Sequence, residues 1–355
     1  MRMTSKERVL TAFASQVPDR VPINYLANPG IDRRLKDHFG LSRDDHEGLR
    51  RALHVDFRAV GAPYVGPKLH ADFADRKVDN WGIHRRWVEH ESGGYWDYCD
   101  WPLKDATVEE VAEWPMPSPD DCDYTVTWET CGRHKDYAVY AATGLGDIIN
   151  GNGMLRTMEQ TLVDLITNDP AGMLLADRRM EIQFEITRRA VEASKGGIDF
   201  LWLGEDLGTQ ISPMMSLPLF RKQIRPRYQK FVDLAKAYGL PVMMHSCGSS
   251  SWAFEDFIEM GITVVDTLQP EAKDMDPAYL KERFGGRLAF HGCISTAGPV
   301  AGGTVDQVVA DCREKLEIMM PGGGYCFAPT HMLQDNSPTE NVLAMYATAR
   351  THGRY

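Results

Sequence analysis

From residue 137 onward the chain alternates between short apolar runs and longer amphipathic segments, and no other feature restricts the fold as strongly. The runs at 137–142, 200–203, 242–244, 263–266, 288–290 and 325–328 are almost continuously apolar, the pattern of strands covered on both faces. Helical periodicity fills the intervals, at 155–166, 171–193, 217–238, 252–259, 277–284, 304–319 and 339–351. The third of these starts at Ser216 with Pro218 in its first turn and is stopped by Gly239. Two further runs, 21–26 and 57–60, lie upstream among helical segments at 6–14, 31–39 and 46–53; Pro22 places the first of them at an edge or a strand start. About eight strand-then-helix units joined by a few residues each predict a closed (β/α)8 TIM barrel, one domain spanning 1–355. No G-x-G-x-x-G follows the first strand, which argues against a dinucleotide-binding open sheet.

Residues 62–136 break the alternation. They hold Trp81, Trp87, Trp96, Trp101, Trp114 and Trp128, six of the eight tryptophans. Segments 82–90 and 95–101 flank Gly93-Gly94 and predict a β-hairpin, followed by a Pro-rich connection at 114–119. This reads as an insertion into the barrel, serving equally well as a lid, a partner surface or padding.

The net charge of −11 contains no long basic run and excludes an electrostatic nucleic-acid binder. No apolar stretch approaches the roughly 20 residues that span a bilayer, and the charged beginning lacks a signal-type core. A cytoplasmic enzyme of small molecules is expected, with a homodimer left open. Seven scattered cysteines make a disulfide framework improbable, so they divide between buried apolar positions and ligands.

A barrel gathers the C-terminal ends of its strands at one mouth. The polar residues at those ends are Asn24, Tyr25, Thr143, Glu205, Asp206, His245, Cys247, Asp266, Gln269, Glu271, His291, Cys293, Cys326 and His331. In extended chain, residues two apart project to one side, so His245 and Cys247 can offer nitrogen and sulfur to one zinc ion. Glu205 and Asp206 are candidates for proton transfer, or for a hydrogen bond to a ligating imidazole; capping or ion pairing explains them equally well. Asn24, Tyr25, Trp202, Gln269 and His291 are candidates for the substrate-facing wall, although aromatic residues at such places are commonly core.

The stretches GEDLGTQ, LPVMMHSCGSS, LQPEA, LAFHGCIST and PGGGYCFAPTHMLQDNSPTENVLAMYATAR resemble the uroporphyrinogen decarboxylase superfamily, and most of all its cobalamin-dependent methyltransferase branch. The resemblance is clear over 137–352, weaker over 4–60, and absent from the Trp-rich segment. It implies a (β/α)8 barrel and a catalytic zinc held by His-x-Cys and a later Cys. His245 and Cys247 match the first two. Counted back from Ser337-Pro338, the third position falls on His331, with Cys326 as the alternative. The resemblance further implies methyl transfer between a small molecule and a corrinoid. No D-x-H-x-x-G signature occurs in the chain, so the corrinoid is expected on a partner protein. The loop after the first strand, 26–30, has no arginine before Arg33, which speaks against a porphyrinogen with several carboxylates. A metal-free lyase of the decarboxylase kind and a non-catalytic small-molecule or corrinoid binder are the alternatives.

Overall fold

Phe200, Leu201 and Leu203 are all buried, whichever way they point, because helices cover one side of their strand and packed side chains the other. The same holds for the other central strands. The computed structural model describes residues 3–91, 93–142 and 147–355; Thr143 lies outside the described residues. Ten strands are described: β1 Phe57–Val60, β2 Lys77–Val78, β3 His84–His90, β4 Gly93–Cys99, β5 Ala138–Ala142, β6 Phe200–Gly204, β7 Val242–His245, β8 Val264–Leu268, β9 Ala289–Ile294 and β10 Tyr325–Pro329. Among the described residues, seven of them form one curled parallel sheet in the order β1-β5-β6-β7-β8-β9-β10.

The segment predicted as a strand at 21–26 is not continuous strand; it makes isolated parallel bridges at Ile23↔Phe327 and Ala27↔Leu333. Pro22 has no N–H to give. The Ile23 N–H goes to the Asp56 carboxylate at 2.8 Å instead of a backbone carbonyl. The segment still joins both margins of the sheet. Phe327 N donates to Pro22 O and Asn24 N to Phe327 O on the β10 side, while Asp56 N donates to Ile23 O on the β1 side.

Two helices differ from expectation for local reasons. The helix predicted at 155–166 is two, Ile149–Arg156 and Met158–Thr167, hinged at Thr157 with φ 77°. The helix predicted at 217–238 carries a π-helical turn, Phe220–Ile224, before its main part, Arg225–Ala237. Pro226 cannot donate to the preceding turn, and the wider turn absorbs the mismatch.

The Trp-rich segment holds a separate antiparallel sheet, β2-β3-β4, with Trp87 opposite Trp96 and His90 opposite Gly93. Gly93 and Gly94 belong to β4 rather than to the turn. The Trp87 ring explains the second glycine: a Cβ on Gly94 would lie 2.3 Å from Trp87 Cζ2. No described helix is long and apolar enough to cross a membrane.

Candidate metal centre

β7 ends in His245, and the chain then bends away through Ser246 and Cys247. Beside it β6 ends at Gly204 and continues into Glu205 and Asp206. The two loops touch backbone to backbone. A Cβ on Gly208 would stand 2.4 Å from Ser249 N, and one on Gly248, whose φ is +69°, would stand 2.3 Å from Gly208 O. Ser249 N donates to Thr209 O at 2.8 Å across this seam. Only glycine fits both requirements at 248. Gly248→Ala is therefore expected to cost about 2 kcal/mol and to displace Cys247. Urea unfolding and metal content check this; unchanged values in both would refute it.

The seam brings three donor atoms together. His245 Nε2 is 3.4 Å from Cys247 Sγ and 3.8 Å from an Asp206 carboxylate oxygen. The donor atoms of Asp206, His245 and Cys247 all lie within 4.8 Å of one another. The Asp206 carboxylate accepts the Cys247 N–H at 2.8 Å and the Asn150 amide at 2.8 Å. Burial alone would raise its pKa, but His245 and these donors hold it below the usual carboxylate range.

Asp266, the third residue of β8, organises the other side. One oxygen accepts from His245 Nδ1 at 2.7 Å and Trp202 Nε1 at 3.1 Å. The other accepts from His291 Nδ1 at 2.6 Å and the Thr267 N–H at 2.7 Å. Burial opposes ionisation, yet His291 and His245 hold this carboxyl well below its ordinary range. A carboxylate only accepts, so His245 keeps a proton on Nδ1, and Nε2 is the nitrogen at which a metal would take the place of a proton. Burial would lower the His245 pKa, but Asp266 overrides it and raises it well above the usual histidine value. Burial pushes the Cys247 thiol up, opposed by His245; a divalent cation at the cluster would deprotonate such a thiol. The register slips between Asp266 and Leu268, leaving Thr267 at φ 67°, an unusual conformation for a β-branched residue. That bulge sets Thr267 Oγ1 2.6 Å from His245 Nδ1. Strain of this kind gathers at functional sites.

The other sequence-predicted residues take varied places. His331 is exposed beyond β10, with its ring centroid 6.2 Å from that of His245. Cys326 lies within β10, fully buried, in register with His291. Glu205 is buried away from the cluster. Its oxygens accept the N–H groups of Ile148 and Ile149 at 2.8 and 3.0 Å, at the start of a helix, and Tyr228 OH at 3.0 Å. Burial, then the nearby Asp147, push the Glu205 carboxyl well above its usual value. His291 is buried with both nitrogens engaged, Nε2 by the Asn24 amide at 3.0 Å. Tyr25 OH donates to Asp32 at 2.5 Å. Gln269 Oε1 accepts the Gly248 N–H at 2.6 Å, bracing the same seam. Trp202 stands edge-on to His245 with centroids 6.0 Å apart.

The donor set of nitrogen, sulfur and carboxylate oxygen suits zinc, and the hydrogen-bonded Nδ1 is the outer support that a zinc-binding histidine requires. Two features escaped sequence reasoning. Asp266 was visible as a strand-end acid, but its double role as acceptor for two imidazoles was not. Thr267 left no sequence signal, because its strain arises from the bulge.

A model of the uroporphyrinogen decarboxylase (URO-D) family matches residues 143–352. No curated protein matches the chain at a significant level. Among solved structures, a methyltransferase from Methanosarcina mazei aligns over 98% of this chain and 98% of its own, with TM-score 0.65 and 18% identity. That similarity establishes a shared fold. An amidohydrolase from Burkhoderia ambifaria, with bound Zn, aligns over 100% of this chain and 90% of its own, with TM-score 0.29 and 12% identity, too low to carry weight.

Proposed function

The chain belongs to the uroporphyrinogen decarboxylase family, and on that premise we propose that it is a zinc-dependent methyltransferase, moving a methyl group between a small molecule and a corrinoid carried by a partner protein. The fold reading that accompanies this is a (β/α)8 barrel, with residues 21–26 as the eighth stave and 62–136 as an insertion. The observation that carries the function is the cluster of His245, Cys247 and Asp206 at adjacent strand ends, with His245 Nδ1 fixed on Asp266. The similarly folded Methanosarcina mazei protein is itself named a methyltransferase.

Zinc bound at His245 and Cys247 supplies Lewis acidity toward the heteroatom that gains or loses the methyl group. The chain's own residues do the rest. Asp266 holds His245 in the binding tautomer. Trp202, pinned through its indole N–H to Asp266, forms an aromatic wall beside that imidazole and limits water there. Glu205 anchors the start of the helix Ile149–Arg156, and so places Asn150 against Asp206.

Arg34, just beyond the loop after residues 21–26, also fits this reading better than decarboxylation. Arg34 donates to the backbone oxygens of Asp335 and Ser337 at 2.9 and 2.8 Å. It is committed to holding chain, not to a substrate carboxylate. Protein purified without chelators is expected to carry about one zinc per chain, by the stoichiometry of a single three-ligand site. It is also expected to demethylate methylcobalamin in the presence of a thiol, followed by the change in corrinoid absorbance. Zinc-free protein that decarboxylates a carboxylate-rich substrate would overturn the proposal.

A further inference from the structure

We propose that Asp206 is the third protein ligand of this metal centre, giving an oxygen, nitrogen and sulfur set with His245 and Cys247, and that His331 stays outside the ligand set. This rests on the zinc reading above and replaces the expectation that His331 is the third ligand.

The distances carry the case. A tetrahedral zinc with bonds of about 2.0 Å to nitrogen or oxygen and about 2.3 Å to sulfur separates its donor atoms by roughly 3.3–3.5 Å. The 3.4 Å from His245 Nε2 to Cys247 Sγ falls in that range, and the 3.8 Å to the Asp206 oxygen falls just beyond it. The third side, from the Asp206 carboxylate to Cys247 Sγ, lies within 4.8 Å, so the three donors have only to draw together around an ion. Two imidazoles on one such ion would bring their ring centroids to roughly 5 Å by the same geometry. His245 and His331 stand 6.2 Å apart, so His331 would have to move by about an ångström. It is also exposed on a separate loop, whereas Asp206 and Cys247 lie on the two loops locked together at Gly208 and Gly248.

Lone pairs give a second, independent reason. Each Asp206 oxygen accepts one described hydrogen bond, Oδ1 from the Cys247 N–H and Oδ2 from the Asn150 amide. Each therefore keeps a lone pair, and Oδ1 is the atom facing His245 Nε2. Those two bonds fix the carboxylate plane before any ion arrives. Asn150 is thus a positioning residue. It acts through Asp206, and Glu205 in turn seats the helix that carries it. The cluster has three protein donors and room for a fourth from substrate, the arrangement of a catalytic rather than a structural zinc.

The test is zinc affinity of the full chain, measured by competition with a chromophoric chelator. Asp206→Asn keeps an acceptor for the Cys247 N–H but loses the anionic donor, and is expected to weaken zinc binding at least tenfold. Asn150→Ala, which leaves the Asp206–Cys247 bond intact, is expected to weaken it severalfold to tenfold. His331→Ala is expected to stay within threefold. Cobalt(II) substitution gives a readout independent of turnover: Asp206→Asn should shift the visible d–d bands, and His331→Ala should leave them in place. Melting of the metal-free variants checks that each is folded. A tenfold loss in His331→Ala with none in Asp206→Asn would overturn the inference and leave the zinc reading standing. Equal losses at both residues would also overturn it, since four protein ligands leave no open position. A parent chain that binds no zinc would instead overturn the zinc reading itself.

Discussion

Asp56→Ala is expected to lower the stability of the protein by about 3–5 kcal/mol, the range for removing one partner from a buried ionic network. Asp56 is fully buried, one residue before β1. One oxygen accepts from Ser5 Oγ at 2.7 Å, Arg8 Nη1 at 2.8 Å and Arg20 Nη2 at 2.8 Å. The other accepts from Arg20 Nη1 and the Ile23 N–H, both at 2.8 Å. Truncation leaves the Arg20 guanidinium short of its acceptors and the buried Ile23 N–H unpaired. Arg8 keeps Asp19, at 2.6 Å, which caps the loss. At about 2.1 cal/mol/K of unfolding entropy per residue, this corresponds to a fall in Tm of about 4–7 °C. Replacing Glu317, whose side chain is 73% exposed, should change stability by no more than about 0.5 kcal/mol. A loss under about 1 kcal/mol for Asp56→Ala in urea unfolding would refute the account.

Asp56 also explains where sequence reading stopped. The run at 57–60 is β1 to the residue, because four apolar-patterned residues between turns have one sensible fate. The run at 200–203 extends by one residue into Gly204, and that at 242–244 by one into His245. The segment at 21–26 also reads as a strand yet forms only isolated bridges. The acceptor of its Ile23 N–H is a side chain 33 positions away, and nothing local announces that. The π-helical turn ahead of Pro226 interrupts a segment read as one helix at 217–238, although the proline that accounts for it stands in the sequence. The break at Thr157 was not legible, since Thr157 caps the second helix through its own side chain on Gln160 N.

The site divides in the same way. His245 and Cys247 were legible because strand-end position and spacing are both properties of the chain. Glu205 and Asp206 were legible as a pair and not as individuals. Adjacent residues leaving a strand point apart, so one carboxylate goes to the helix start at Ile148 and the other to Cys247. Which goes where depends on β7 lying beside β6, a tertiary fact. His291 resembles a second metal-binding histidine in sequence, since His291 and Cys293 repeat the spacing of His245 and Cys247. In the fold its ring is walled in by Asp266, Asn24 and Phe57.

That enclosure makes Asp266 the residue whose loss should reach furthest into the site. Asp266→Ala removes the acceptor of two imidazole N–H groups, an indole N–H and a backbone N–H in one step. Free of Asp266, the His245 ring has no carboxylate to fix its tautomer, and its Nε2 no longer points steadily toward Cys247 and Asp206. Zinc affinity is expected to fall about 100-fold, the upper end for an outer partner of a zinc-binding histidine. Stability should drop as well, by about 2–4 kcal/mol, because His291 is completely buried and its Nδ1–H would have no acceptor. The two losses separate in Asn24→Ala, which frees the far nitrogen of His291 but leaves His245 on Asp266. That variant should lose stability and keep zinc affinity within about threefold, well short of the 10–100-fold of a direct outer partner. Chelator competition and urea unfolding on the two variants decide the matter. If Asp266→Ala binds zinc as tightly as the parent chain, His245 is not held for a metal by this carboxylate, and Asp266 is only a brace between β8 and β9.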